Sequence, residues 1–153
     1  MPEPLPVKEF LDELEVPASG GVWDVSNVAA PKVIEVTGST NDPLRFNLNM
    51  GDVVFGRAGD PAQEETPIGN WTYGNRVYNI VLEVYTTNSG GRQRLYDIVG
   101  EIRRICHARM HSLTSFQRIK FVSFSEATQD QVNIWTGNIT IQLENNAILL
   151  ETT

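Results

Sequence analysis

The sequence predicts an α+β domain: a mainly antiparallel sheet with one long helix packed across it, a short N-terminal helix and a long extended loop. Three observations predict it. "RVYNIVLEVYTT", residues 76–87, alternates with period two and puts Tyr78, Ile80, Leu82 and Val84 on one wholly apolar face. "RQRLYDIVGEIRRICHARMH", residues 92–111, repeats instead at helical spacing. At ~100° per residue, Leu95, Ile98, Val99, Ile102, Ile105 and Cys106 fall on one stripe. "RIKFVSFSEA" (118–127) and "QVNIWTGNITIQLE" (131–144) then read as a hairpin with a turn near Ala127–Asp130.

The chain begins with a short helix between prolines. Val7, Phe10, Leu11 and Leu14 follow the i, i+3, i+4, i+7 pattern, Pro6 suits a first helical position and Pro17 a stop. A helix this short is marginal alone, so it needs a surface to dock on, in its own chain or in a neighbour's. "ASGGVWDVSNVAAP" (18–31) is a linker anchored by Val22 and Trp23, the tryptophan expected to tuck onto the core. "KVIEVTG" (32–38) reads as a strand. A turn at Asn41-Asp42-Pro43 leads to a second strand through Leu44, Phe46, Leu48 and Met50, and "DVVFGR" (52–57) is a third.

"AGDPAQEETPIGNWTYGN" (58–75) has no periodicity and is read as the long loop, with Glu64 and Glu65 as solvated charge. Its Ile68, Trp71 and Tyr73 are anchors that an arm lying on a partner needs. Near the C-terminus, Gly137 reads as the site of a bulge. The whole is one domain, 1–153: an N-terminal helix and linker arm (1–31), an α+β core (32–144) and a C-terminal tail (145–153).

Composition narrows function. The chain has 12 basic against 19 acidic residues and a net charge of −7. That balance speaks against a protein that grips nucleic acid, but suits a surface past which nucleic acid slides. A single cysteine excludes an internal disulfide and fits a reducing compartment. The N-terminus lacks the basic and apolar regions of a signal peptide, and no apolar run approaches the ~20 residues that span a bilayer, so the expectation is a soluble intracellular product without a membrane partner.

The cysteine sits in the most chemically suggestive stretch, followed by His107 and His111. The two histidines are spaced for two ligands on one helix face, but no third ligand follows at a suggestive spacing. Cys106 belongs to the apolar stripe, which makes it a small buried hydrophobe rather than a nucleophile. Gly-rich phosphate loops, GxSxG, HExxH and CxxC are absent from the sequence. The expectation is therefore a protein that is not an enzyme, with no catalytic, cofactor-binding or metal residues. The other side of the helix carries Asp97, Gly100, Glu101, Arg104 and His107, with Glu101 and Arg104 spaced for an i, i+3 pair. Gly100 costs about 1 kcal/mol relative to alanine in a helix interior. Close approach of another backbone is one reason to tolerate it. The expected subunit interface is Ile68, Trp71, Tyr73, Asp97, Gly100, Glu101 and Arg104.

From Thr66 onward, "TPIGNWTYGNRVYNIVLEVYTT", then "RQRLYDIVGEIRRICHARMHS", then a strand pair ending "WTGNITIQLE" resembles the tail-completion proteins of tailed viruses of bacteria and archaea, in particular the tail terminator or head–tail joining class. The resemblance covers roughly residues 32–144 and rests on the order of elements and the "RLYD" helix start at residues 94–97. It implies a non-enzymatic virion protein of the tail or neck, assembled in the host cytoplasm. It implies a homo-oligomeric ring, commonly a hexamer, that caps the tail tube protein and joins it to the head–tail connector while DNA passes through the channel. The alternatives are another tail or neck component, such as a tube subunit or connector stopper, and a small ligand-binding domain or enzyme using Cys106, His107 and Arg109.

Overall fold

The alternating stretch forms the spine of the protein. In the computed structural model, which describes residues 5–37, 51–59, 63–65, 73–87, 91–127 and 134–149 (backbone only for 63–65, 73–74 and 146–149), β4 runs from Tyr73 to Thr87. Around it lie β1 (Lys32–Glu35), β2 (Val53–Ala58), β3 (Gln63–Glu65), β5 (Arg118–Glu126) and β6 (Ile134–Leu149). The order is β1-β2-β4-β6-β5, with β3 also on β4. Only β1–β2 is parallel. The expected turn at 41–43, the strand through Leu44–Met50, and Ile68 and Trp71 lie outside the described residues.

Two helices, α1 (Pro6–Glu13) and α2 (Gly91–Ala108), share one face of the sheet. The apolar face of β4 meets them as its alternation predicts: Tyr78, Ile80, Leu82 and Val84 are all buried. So are Leu95, Ile98, Val99, Ile102, Ile105 and Cys106 of α2, with Ile139, Ile141 and Leu143 of β6. One contiguous core results. Each such fully buried side chain contributes about 1.5–3 kcal/mol relative to exposure.

The docking surface of α1 is in its own chain. Phe10, Leu11 and Leu14 are buried in the common core. Leu11 seats on Gly56 of β2, where an added Cβ would come within 2.7 Å of the leucine methyls. A backbone-level gap is thus what lets the short helix sit close. Polar contacts fix its direction: Glu9 accepts the Ser115 N–H at 2.8 Å, and Arg109 Nε donates to Glu13 at 3.2 Å. Trp23 is tucked onto the core as expected, its indole N–H donating to the Val28 carbonyl at 2.8 Å.

Three expectations are corrected. The stretch 58–75 is not loop throughout. Gln63–Glu65 pair with Asn75–Val77 of β4, continuing the line of β2 along the same flank. Backbone pairing needs no apolar alternation when a neighbouring strand extends far enough to offer partners. Likewise β6 runs on to Leu149, paired as far as Tyr73, so part of the segment read as tail is strand. The register shifts at Val122 of β5, between Phe121 and Ser123, and again between Gly74 and Arg76 of β4, rather than at Gly137. Gly137 is in regular register with Val84 and makes room for Phe124, whose Cε1 would stand 2.5 Å from an added Cβ.

The helix-free face of the sheet is mostly polar at its centre. Gln142 Nε2 donates to Asn79 Oδ1 across β4 and β6 at 3.1 Å, with Asn138 and Thr140 in the same row. Phe55 packs edge-on against Tyr85, ring centroids 5.6 Å apart. Among the described residues no helix is long and apolar enough to cross a membrane.

Candidate functional site

The outer surface of α2 divides along its length. Its first half is fastened to the chain around it. Arg92 grips Glu126 of β5 with Nε at 2.9 Å and Nη2 at 2.8 Å, and the Tyr96 hydroxyl donates to the same carboxylate at 2.8 Å. Hydrogen bonds from Arg92 first, then from Tyr96, hold the Glu126 carboxyl below its ordinary value. Arg94 donates to Asp52 at 2.7 Å and to the Ala29 carbonyl at 2.7 Å, joining the helix to the linker and to the start of β2. Asp52 also accepts the Thr87 N–H.

Glu101 is the residue the helical wheel misplaces. Expected on an open polar face, it is buried, its side chain 1% exposed. Its carboxylate accepts the Asp24 N–H at 2.8 Å and Arg104 Nε and Nη2 at 2.6 and 2.7 Å. Arg104 Nη2 also donates to the Val22 carbonyl at 3.0 Å. The expected i, i+3 pair therefore exists, but it clips the linker around Trp23 to the helix. Glu101 lies three residues after Ile98 and four before Ile105, on the margin of the apolar stripe, and the returning linker covers that margin.

Asp97 is exposed and accepts Gln93 Nε2 at 2.9 Å. Gly100 is exposed, and an added Cβ would meet nothing within 4 Å. No contact inside the chain requires glycine there. Tyr73 starts β4 with its backbone paired to Leu149.

The second half of α2 opens onto a groove of about 710 Å³ between the helix and β5. Gly100, Arg103 and His107 line it from the helix, and Arg118, Lys120 and Phe121 from the strand. The Arg103 guanidinium lies 4.7 Å from the Phe121 ring centroid, a cation–π contact. Arg103, Arg118 and Lys120 pair with no carboxylate among the described residues. Sequence reasoning missed this groove. Part of its signal was present in the i, i+3, i+7 line of Gly100, Arg103 and His107. Register puts Lys120 opposite Gln142 and Arg118 opposite Glu144, so those two side chains leave β5 on the side away from α2, while Phe121 faces Arg103.

Cys106 is buried beneath this groove, and desolvation pushes its thiol up to about 12 from an ordinary 9.0. It is therefore neutral at physiological pH, which suits packing and not attack. His111 pairs through Nδ1 with the Gln117 carbonyl at 2.9 Å. Among the described residues no three His, Cys, Asp or Glu side chains gather as a metal site.

No known family profile matches the chain, and no curated protein matches it in sequence. Its fold does have a counterpart among solved structures, in a chain of the virion of a native gene transfer agent (GTA) particle. The two superpose with a TM-score of 0.52 over 80% of this chain and 84% of that one, at 12% identity. At that identity the likeness is one of fold.

Proposed function

We propose that this chain is a structural virion protein, the tail terminator of a tailed virus or related particle, forming a ring that closes the tail tube and meets the head–tail connector. The observation that carries the reading is the fold shared along most of both chains with a component of a virion. The surfaces supply a physical rationale. A ring closes by a heterologous contact between two different complementary patches. The outer side of α2, with exposed Asp97 and open Gly100 beside Arg104, is one such patch, and the stretch bearing Ile68, Trp71 and Tyr73 is an arm toward a neighbour. The neutral polar row of Asn79, Asn138, Thr140 and Gln142, with a net charge of −7, suits a wall past which DNA moves without adhering.

Native mass measurement and negative-stain imaging of the purified chain test this. The expected result is a closed ring, six copies in the simplest case, that does not lengthen. Open-ended tubes would assign the chain to the tube itself. Monomers at every concentration, and in the presence of tube protein, would end the ring reading.

A further inference from the structure

We infer that β5 is a guarded edge: this end of the sheet is built to refuse a further strand, so a second copy of this chain meets this flank through side chains and not through backbone pairing. β5 has this property whether or not a ring forms, and it narrows how copies assemble. The strand ends the described order, with β6 on one side and no strand among the described residues on the other. A nine-residue edge is a template for any strand that finds it, because it presents a row of unpaired N–H and C=O groups. Three features of β5 act against such pairing.

The first is the spacing of its outward backbone groups. The Ala127 N–H points inward, to the Thr136 carbonyl, whereas the Ile119 N–H points outward and donates to the Met110 carbonyl at 2.9 Å. Alternation along an antiparallel strand turns Phe121 outward with Ile119 and, counting back from Ala127, turns Glu126 and Phe124 outward too. A regular partner strand bonds to outward residues two apart. The register shift at Val122 sets Phe121 and Phe124 three apart. A strand aligned with one side of the shift is misplaced on the other.

The second feature is the contact with Met110. It occupies the outward N–H of Ile119, so before the shift only Phe121 keeps an outward N–H open among these residues. The third is charge. Arg118 and Lys120 are both exposed on the helix-free face, opposite Glu144 and Gln142. An incoming strand would have to lie against them, and two copies joined edge to edge would crowd the cations of both along one seam.

Val122 itself is 42% exposed, so its place in the strand is not owed to core packing. Its removal leaves a single residue between Phe121 and Phe124. Both rings then stay on the helix side, and the outward groups of Ile119, Phe121, Phe124 and Glu126 become evenly spaced. The guard is thus separable from the core it borders.

A full-length variant lacking Val122 and carrying Arg118→Thr and Lys120→Thr tests this against the wild type. Circular dichroism checks that it folds, sedimentation and native mass measurement read self-association, and residue-resolved amide hydrogen exchange reads the edge. The variant should form species beyond those of the wild type, at a concentration at least ~10-fold lower than any the wild type needs. On association its Phe121 and Phe124 amides should gain at least ~100-fold protection, as newly paired strand amides do. In the wild type the same amides should stay unprotected at every concentration. A variant that associates no more readily than the wild type overturns the inference. So does one that associates while these amides still exchange freely, since its new contact then lies elsewhere. Protection of the Phe121 and Phe124 amides in an assembly of the wild type overturns it directly, and that measurement alone decides if the deletion does not fold.

Discussion

The two halves of the outer surface of α2 are equally charged but differently employed. In the first half both arginines are spoken for, Arg92 by Glu126 and Arg94 by Asp52; of the two in the second half, Arg104 is held by the buried Glu101. Its neighbour Arg103 has no carboxylate among the described residues and stands over Phe121 at an open groove. Charge satisfied inside the chain orders the linker and the strand ends. Charge left facing a groove is available for recognition. The difference teaches that residues on one helix face, which a sequence pattern groups together, serve folding or contact according to what the rest of the chain lays over them.

The sharpest way to break the comparison is at Glu101. Glu101→Ala leaves Arg104 and the Asp24 N–H without their acceptor and should cost about 3 kcal/mol, near the low end for a broken buried pair because Arg104 is half-exposed. Urea denaturation reads this, and Trp23 fluorescence should shift at lower denaturant as the linker loosens. A cost under about 0.5 kcal/mol would mean that the clip is ornamental. Cys106→Ser, directly below the groove, should cost about 1–2 kcal/mol by burying a hydroxyl, yet leave self-association unchanged. A thiol reagent should label the native wild-type protein only at the rate of unfolding, because the thiol is both buried and neutral. Rapid stoichiometric labelling would contradict the packing role.

Gly100→Ala sharpens the comparison in the opposite direction. With open space at its Cβ position, the change should stabilise the isolated subunit by up to about 1 kcal/mol through helix propensity, while weakening any assembly in which a neighbour's backbone approaches there. Thermal melting and native mass measurement separate the two effects. The smallest effect is that of acid on the Arg92–Glu126 tie. The folded Glu126 carboxyl titrates below its ordinary value of 4.5, so its contribution is present above that pH and is lost as pH falls through the folded value. The stability difference between wild type and Glu126→Gln should therefore shrink toward zero only below about pH 4.5.

Much of the fold was legible because it is written in side-chain period. The α2 stripe and the apolar face of β4 are pure periodicity, and both helices met the surfaces their stripes required. What escaped had other causes. β3 is acidic and carries no alternation, and its place is set by the reach of β4. Glu101 sits where only the return of a distant linker makes a carboxylate internal. The groove is walled by segments on two elements, so the seating of Arg103 over Phe121 is a matter of tertiary geometry. The proposed contact residues at 68 and 71 depend on a stretch whose sequence gives anchors but no direction.

The unpaired Val122 has a further consequence for how one strand serves a whole helix. Because it inserts a half-step into the strand's rhythm, Phe121 and Phe124 point the same way despite their odd separation, one beneath Arg103 and the other edge-on to Tyr96. Filling the beat instead, by one further inserted residue or by a partner residue opposite Val122, would put the two rings out of step and turn one of them outward, uncoupling the two ends of α2 from their common support.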